Sequence, residues 1–140
     1  MLDYRTFVEH DSMFNTPPVF AIYVVMLVTR WLRDDVGGVE AQQRINRGKA
    51  SAVYDAIDTS AGFYKGHARP NSRSLMNVTW QLPSEELEQR FIAEATEADL
   101  HELRGHRSMG GIRASLYNAM PHAGADALAG FMREFAQRNG

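Results

Sequence analysis

Residues 74–91 read SLMNVTWQLPSEELEQRF and place a strand pattern directly before a helix start. Side chains alternate along the first half, with Leu75, Asn77 and Thr79 on one face and Met76, Val78 and Trp80 on the other. In the second half Ser84 is a favourable N-cap, and the acids after it suit the positive end of a helix dipole. Leu87, Phe91, Ile92 and Ala95 form one apolar face of this helix. A strand and a helix of this kind are expected to pack together.

A long helix is predicted upstream, at residues 16–35. The run from Val19 to Val28 is apolar on every side, which is typical of a helix surrounded by protein. It is much shorter than the roughly 20 residues that span a bilayer. Thr16 is the expected N-cap, and Gly37 with Gly38 marks the end because glycine accepts positive φ. We therefore expect a long buried connecting helix.

The remaining patterns complete the order of elements. Residues 39–57 form an amphipathic helix that is expected to leave Gln42, Arg44 and Lys49 in solvent. Residues 100–103 and 112–117 are predicted strands, and residues 121–137 are a closing amphipathic helix. The order ααβαββα predicts an α/β fold of the α+β kind. It has a small antiparallel or mixed sheet with helices packed on one face.

Composition limits the classes of function. The chain has 140 residues, is 44% hydrophobic, carries a formal net charge of -2 and has no cysteine. This charge predicts no general attraction to nucleic acid or to an anionic membrane, and the lack of cysteine excludes disulfides and thiolate chemistry. The first residues lack the features of a secretory signal. We expect a cytoplasmic chain.

Residues 105–115, GHRSMGGIRAS, surround a glycine pair with basic groups. In a strand that starts at Ile112, Arg113 points away from the core. His106 and Arg107 lie in the preceding loop, where Gly110 and Gly111 allow a tight turn with free N–H groups. Guanidinium groups match carboxylate and phosphate, so two arginines here are suited to two anionic groups of one ligand. A turn with solvated basic side chains explains the same residues.

A second candidate site precedes the long helix, in SMFNTPP at residues 12–18. Asn15 and Thr16 lie at the expected helix N-terminus, where unpaired N–H groups and the helix dipole attract phosphate. Simple capping accounts for both residues equally well.

Three stretches together resemble the phosphoserine aminotransferases, a family of pyridoxal-phosphate enzymes. They are SMFNTPPVFAIYV from Ser12, SLMNVTWQLPSEELEQRF from Ser74, and GHRSMGGIRASLYNAMP from Gly105, and the similarity is collinear from about residue 3 to the C-terminus. The resemblance implies that His106 and Arg107 hold the substrate phosphate and that Arg113 holds the α-carboxylate of phosphoserine or glutamate. It further implies that Asn15 and Thr16 reach the pyridoxal phosphate of the neighbouring subunit in a homodimer.

The resemblance also implies a missing part. The family's Schiff-base lysine comes from a segment upstream of Met1. The two lysines present, Lys49 in the middle of a helix and Lys65 in an expected loop, lie outside that context and are expected at the surface. No catalytic residue is therefore assigned here. Residues 1–38 would be the end of the large-domain segment with the connecting helix, and residues 39–140 would be the C-terminal small domain.

Two other functions remain open from the sequence. The chain could be a non-catalytic anion-binding module or the product of a disrupted gene, as the missing lysine suggests. A metal site could come from His101, His106 and His122, or from the Glu9-His10-Asp11 run, but no metalloenzyme spacing accompanies them. We expect no metal.

Overall fold

The computed structural model describes residues 3–140. It contains the helices α1 (Tyr4–Glu9), α2 (Val19–Asp34), α3 (Val39–Asp58), α4 (Glu85–Glu97) and α5 (His122–Asn139), and the strands β1 (Lys65–Gly66), β2 (Asn77–Gln81) and β3 (Ile112–Ser115). One turn of 3-10 helix covers Pro70–Ser72. The chain divides into two compact units, the first ending at Val39 and the second spanning Glu40–Gly140. Each is described by itself.

The second unit contains a three-stranded antiparallel sheet in the order β1-β2-β3. Its register places Thr79 opposite Arg113 and Trp80 opposite Ile112. Val78 and Trp80 are buried on one face, while Asn77 and Thr79 lie on the other, as the alternation predicted. The sheet therefore presents one apolar face to the core and one polar face that carries Arg113.

Helices cover the apolar face. Phe91 of α4 packs edge-to-face against Trp80 at 6.1 Å between ring centroids and against Phe135 of α5 at 5.1 Å. Helix α3 adds Val53 and Ile57 to the same core. Ser84 caps α4 by accepting a hydrogen bond from the backbone N–H of Leu87 at 3.3 Å. The predicted α+β architecture with helices on one face of a small antiparallel sheet is confirmed.

Two local predictions in this unit are wrong. Residues 100–103 do not form a strand, because Asp99 and Glu102 both have a φ of 59°, which interrupts an extended backbone. Only an isolated bridge between Arg104 and Ile112 forms nearby. Conversely, Lys65 and Gly66 form β1 where a loop was expected. Two residues are too few to show an alternating pattern.

The polar side of α3 is also different from the prediction. Gln42 and Lys49, which were expected in solvent, are buried, and so is Asn46. Gln42 donates to the side-chain oxygen of Asn46 at 2.9 Å, and Asn46 donates to that of Asn118 at 2.9 Å. These residues recur at helical spacing, so α3 buries a polar stripe beside its apolar face. Periodicity of apolar residues alone could not reveal it.

Helix α2 belongs to the first unit. It begins after Pro18, and Thr16 provides no side-chain cap, so the expected capping is wrong. Gly37 and Gly38 do adopt positive φ, at 88° and 96°, after its end. None of its residues is buried within this chain, where Phe20 is 79% exposed and Val25 is 62% exposed, so residues 3–140 alone do not supply the burial expected for this helix. Across residues 3–140, no helix is long and apolar enough to cross a membrane.

Candidate functional site

The loop of residues 105–111 leads into β3 and is closed by its own backbone. The N–H of Gly105 donates to the carbonyl of Gly111 at 2.8 Å, and the N–H groups of Met109 and Gly110 both donate to the carbonyl of His106 at 2.9 Å. Gly110 and Gly111 have φ values of 65° and 67°, as the glycine pair predicted. We call this segment the glycine loop. Its closed base gives the basic residues a fixed frame.

Close backbone approaches require glycine at both ends of the glycine loop. A Cβ atom on Gly105 would collide with the carbonyl of Gly110, and one on Gly111 would lie 2.7 Å from the carbonyl oxygen of Trp80. Real Cβ atoms do not come so close to backbone oxygens. The loop is therefore packed directly on the end of β2.

Glu88 of α4 joins the glycine loop to the sheet. Its Oε1 accepts a hydrogen bond from the N–H of Leu82 at 3.3 Å, and its Oε2 accepts one from the N–H of Gly111 at 3.2 Å. The sequence showed Glu88 only as one of several acids near a helix start, so this contact was missed. The available signal was the position of Glu88 four residues after the N-cap Ser84, from which its side chain can reach back to the residues before the helix.

His106 is held in one orientation by Ser108. The backbone N–H of Ser108 donates to Nδ1 of His106 at 3.3 Å, and the Ser108 hydroxyl lies 2.8 Å from the same nitrogen. Because Nδ1 accepts in this geometry, the proton of the neutral ring lies on Nε2. His106 is exposed, so this N–H can donate to a ligand.

Arg107 and Arg113 offer two guanidinium groups. Arg107 is exposed, and no carboxylate among residues 3–140 pairs with it. Arg113 is half-buried on the polar face of the sheet, and its Nε is buried without a hydrogen-bond partner within the described chain. A buried guanidinium N–H without an acceptor is costly, and a carboxylate oxygen would satisfy it.

Arg113 borders two cavities. His106 and Arg113 line a cavity of about 110 Å³, together with His67, Thr79 and Gln81. Arg113 also lines a larger cavity of about 460 Å³, with His101 and Tyr117. The structure thus brings His106 and Arg113 to one cavity, and Arg107 follows His106 in the chain. His67 and Thr79 were not predicted as site residues, because His67 lies in no recognisable motif and Thr79 was interpreted only as part of a strand.

Asn15 and Thr16 lie in the first unit, between α1 and α2. Both are exposed, and neither side chain hydrogen-bonds to another residue within 3–140. An amide and a hydroxyl are donors that suit phosphate oxygens. Both side chains can therefore donate to the phosphate of a ligand, and neither carries an amine that could form a Schiff base.

Lys49 is not a surface residue, contrary to the prediction. Its side chain has 0% exposure, and Nζ donates to the carbonyls of Tyr117 at 2.7 Å, Met120 at 3.0 Å and Leu116 at 3.4 Å. Burial lowers the pKa of this ammonium group. Lys65 is exposed, as predicted. Within residues 3–140 the structure assembles no group of three His, Asp or Glu side chains that could hold a metal ion.

Comparison with known proteins reveals extensive similarity. The phosphoserine aminotransferase of Rhodopirellula baltica is 57% identical over 138 residues, which are 99% of this chain and 37% of that protein. The solved phosphoserine aminotransferase from Bacillus circulans subsp. alkalophilus is 48% identical to this chain and superposes on it with a TM-score of 0.89. The matched region is 98% of this chain and 38% of the solved chain. The PLP-bound phosphoserine aminotransferase from Trichomonas vaginalis has 37% identity and a TM-score of 0.82 over 94% of this chain and 37% of that chain.

This chain spans less than two fifths of the length of these relatives, and it matches their C-terminal portion. The family model for class-V aminotransferases matches residues 1–128, from the first unit to the first two turns of α5. That match includes Asn15, Thr16, the glycine loop and Arg113. The chain therefore belongs to the class-V aminotransferase family.

Proposed function

We propose that this chain is the substrate-anion-binding part of a phosphoserine aminotransferase. The observation that carries the proposal is the arrangement around the glycine loop: His106 has a free Nε2–H, Arg107 has no carboxylate partner within residues 3–140, and Arg113 has a buried unpaired Nε. These groups are donors without acceptors. A ligand with a phosphate and a carboxylate would supply the acceptors.

His106 and Arg107 bind the substrate phosphate, and Arg113 binds the α-carboxylate. Phosphoserine occupies both positions. Glutamate, which donates the amino group in the other half-reaction, places its α-carboxylate on Arg113 and its side-chain carboxylate near His106 and Arg107. The arginines thereby orient two different amino donors in one site.

The complete enzyme transfers the amino group between glutamate and 3-phosphohydroxypyruvate and so makes O-phosphoserine. Pyridoxal phosphate supplies the electron sink when it is bound. Asn15 and Thr16 hold its phosphate across the interface of a homodimer, and the enzyme works in the cytoplasm. Residues 1–38 belong to the large-domain side of this enzyme, and residues 39–140 form its small domain.

The present chain has no catalytic residue of its own and is inactive by itself. Lys49 is committed to three carbonyls, and Lys65 is exposed on β1. Neither offers the enclosed, activated amine that a transaminase needs. A non-catalytic anion-binding module is the second candidate. The observation in its favour is that the Lys49 amine is already hydrogen-bonded to three carbonyls.

The test is a chimera in which this chain replaces the matching 37% of the Rhodopirellula baltica protein. We expect the chimera to convert O-phosphoserine and 2-oxoglutarate to glutamate, and we expect this chain alone to show no turnover. Arg107→Ala in the chimera is the matched control. A folded chimera that binds O-phosphoserine but does not turn it over would favour the non-catalytic module.

A further inference from the structure

We infer that Glu88 is a positioning residue that sets the distance between the phosphate-binding and carboxylate-binding halves of the site. The inference rests on the proposed function and adds a residue that lies outside the glycine loop and has no assigned role in the site. Its basis is the hydrogen bonding of one carboxylate to two separate strand ends.

The two N–H groups that Glu88 accepts lie where the sheet ladder stops. Strands β2 and β3 pair up to Trp80 and Ile112, where the ladder between them ends. Leu82 follows the end of β2, and Gly111 precedes the start of β3. Their N–H groups lie beyond the hydrogen-bonded ladder of the sheet. The Glu88 carboxylate accepts the hydrogen bonds that a neighbouring strand would otherwise accept. The side chain thus fixes the separation of the two strand ends.

Gly111 is the junction of the anion site. Its N–H donates to Glu88 at 3.2 Å, and its carbonyl accepts from Gly105 at 2.8 Å, which closes the glycine loop. His106 follows Gly105 directly, and Arg113 lies two residues beyond Gly111. Because both polar groups of Gly111 are bound, the position of one residue sets both halves of the site. Moving Gly111 would change the spacing between His106 and Arg113.

The charge of Glu88 weakens anion binding, whereas its hydrogen bonds to the two N–H groups favour anion binding by positioning the loop. A carboxylate beside the loop repels phosphate, but both of its oxygens are bound to N–H groups, which spread this charge. Glutamine is nearly the same size and removes the charge, yet its amide nitrogen would face one of the two N–H groups. Glu88→Gln therefore separates the two effects by sign: lost positioning weakens anion binding, and lost repulsion strengthens it.

The matched control is Glu85→Gln. Glu85 lies in the same first turn of α4, is exposed and makes no side-chain hydrogen bond to the described residues, so this change removes the same charge without the contact. Arg107→Ala is the control for the proposed function. Neither glutamate belongs to the groups that contact the ligand.

The experiment measures amide hydrogen exchange and O-phosphoserine binding by NMR, using the full chain and these three variants. We expect Glu88→Gln to weaken O-phosphoserine binding about tenfold and to speed exchange at Gly111 and Leu82 by a similar factor, as loss of a charge-assisted contact implies. Exchange at Val53 in the core should not change, and Glu85→Gln should match the parent chain. This pattern separates local positioning from a general loss of stability.

Each other outcome is decisive. Tighter binding by Glu88→Gln, or unchanged exchange at Gly111, would overturn the assignment of Glu88. Equal effects at Gly111 and Val53 would show a global structural role instead. If Arg107→Ala binds O-phosphoserine as well as the parent chain does, the proposed function fails, while exchange at Gly111 still decides whether Glu88 holds the loop.

Discussion

At Lys49, the burial of a charge is balanced by hydrogen bonds to three carbonyls and not by a carboxylate. These carbonyls belong to the segment between β3 and α5, so Lys49 ties α3 to the residues that follow Arg113. Its removal leaves buried acceptors without donors and, in the case of alanine, also leaves a cavity. The contacts of Lys49 therefore give it a role in stabilising the fold.

We predict that Lys49→Ala lowers the free energy of unfolding by about 3 to 5 kcal/mol and that Lys49→Met lowers it by less, because methionine fills the space. Lys65→Met, at an exposed position on β1, should change it by no more than about 0.5 kcal/mol. Denaturant unfolding followed by circular dichroism measures all three. A loss at Lys49 as small as that at Lys65 would show that the ammonium group is not held as described.

A pH effect is expected at Asp58, which receives two hydrogen bonds from Arg73 at 2.6 and 2.7 Å. Arg73 lowers the pKa of Asp58 below its ordinary value of 3.8. A carboxyl whose folded pKa is depressed stabilises the fold above its unfolded pKa, and this contribution is lost as the pH falls through the folded pKa. The carboxylate is about half-exposed, so the contribution is at most about 1 kcal/mol.

Asp58→Asn should therefore lower the thermal midpoint slightly at neutral pH and have little effect once the pH is below the lowered folded pKa of Asp58. Thermal unfolding of both proteins across this range is the measurement. A difference between them that grows as the pH falls would have the wrong sign for this ion pair.

The sequence could predict residues whose role follows from their own type and neighbours. The alternation around Trp80 and Arg113 is local, and so are the positive φ angles of Gly110 and Gly111. The role of Lys49 depends on carbonyl groups 67 to 71 residues away in the chain, and the contact of Glu88 with Gly111 spans 23 residues. Lys49 in a polar helix face gives no local sign of such partners, and the only local sign for Glu88 is its position four residues after Ser84. The roles of His106, Arg107, Arg113, Asn15 and Thr16 stay predictions.

At the scale of elements, α2 has the composition of a core helix and the exposure of a surface helix. Its apolar side chains, among them Phe20 and Val25, are exposed in this chain. Large contiguous apolar surface drives association. The sequence predicted correctly that the helix is apolar on all sides. It could not show which protein surface covers the helix, because the pattern of apolar residues describes only the helix itself.

We predict that the isolated chain binds a hydrophobic dye and self-associates through α2. Exchanging Phe20 and Val25 for glutamine should reduce both effects, whereas glutamine at Tyr117, another exposed apolar position, should not. Dye fluorescence and sedimentation velocity are the measurements. A monomer that binds no dye would mean that the apolar surface of α2 is covered in solution.

At the scale of the whole molecule, the proposed function gives this chain a role in anion binding and assigns no catalytic lysine to it. We predict no transaminase turnover when the chain is mixed with pyridoxal phosphate and glutamate. Borohydride reduction should trap weak adducts at Lys65 or the N-terminal amine and none at Lys49, because Lys49 is fully buried. Mass spectrometry locates the adducts. Stoichiometric labelling of one lysine together with turnover above the cofactor-only control would identify that lysine as catalytic.

The central claim is that Arg107 binds the substrate phosphate and Arg113 binds the α-carboxylate. The most direct test is to measure kcat/KM for the two amino donors in the chimera with the Rhodopirellula baltica protein. Arg107→Ala should cost about 2 to 4 kcal/mol of transition-state stabilisation with phosphoserine and clearly less with glutamate, because a phosphate loses more than a carboxylate when a guanidinium is removed. Arg113→Ala should impair both donors equally, since both carry an α-carboxylate. Equal losses for the two donors in Arg107→Ala would contradict the account.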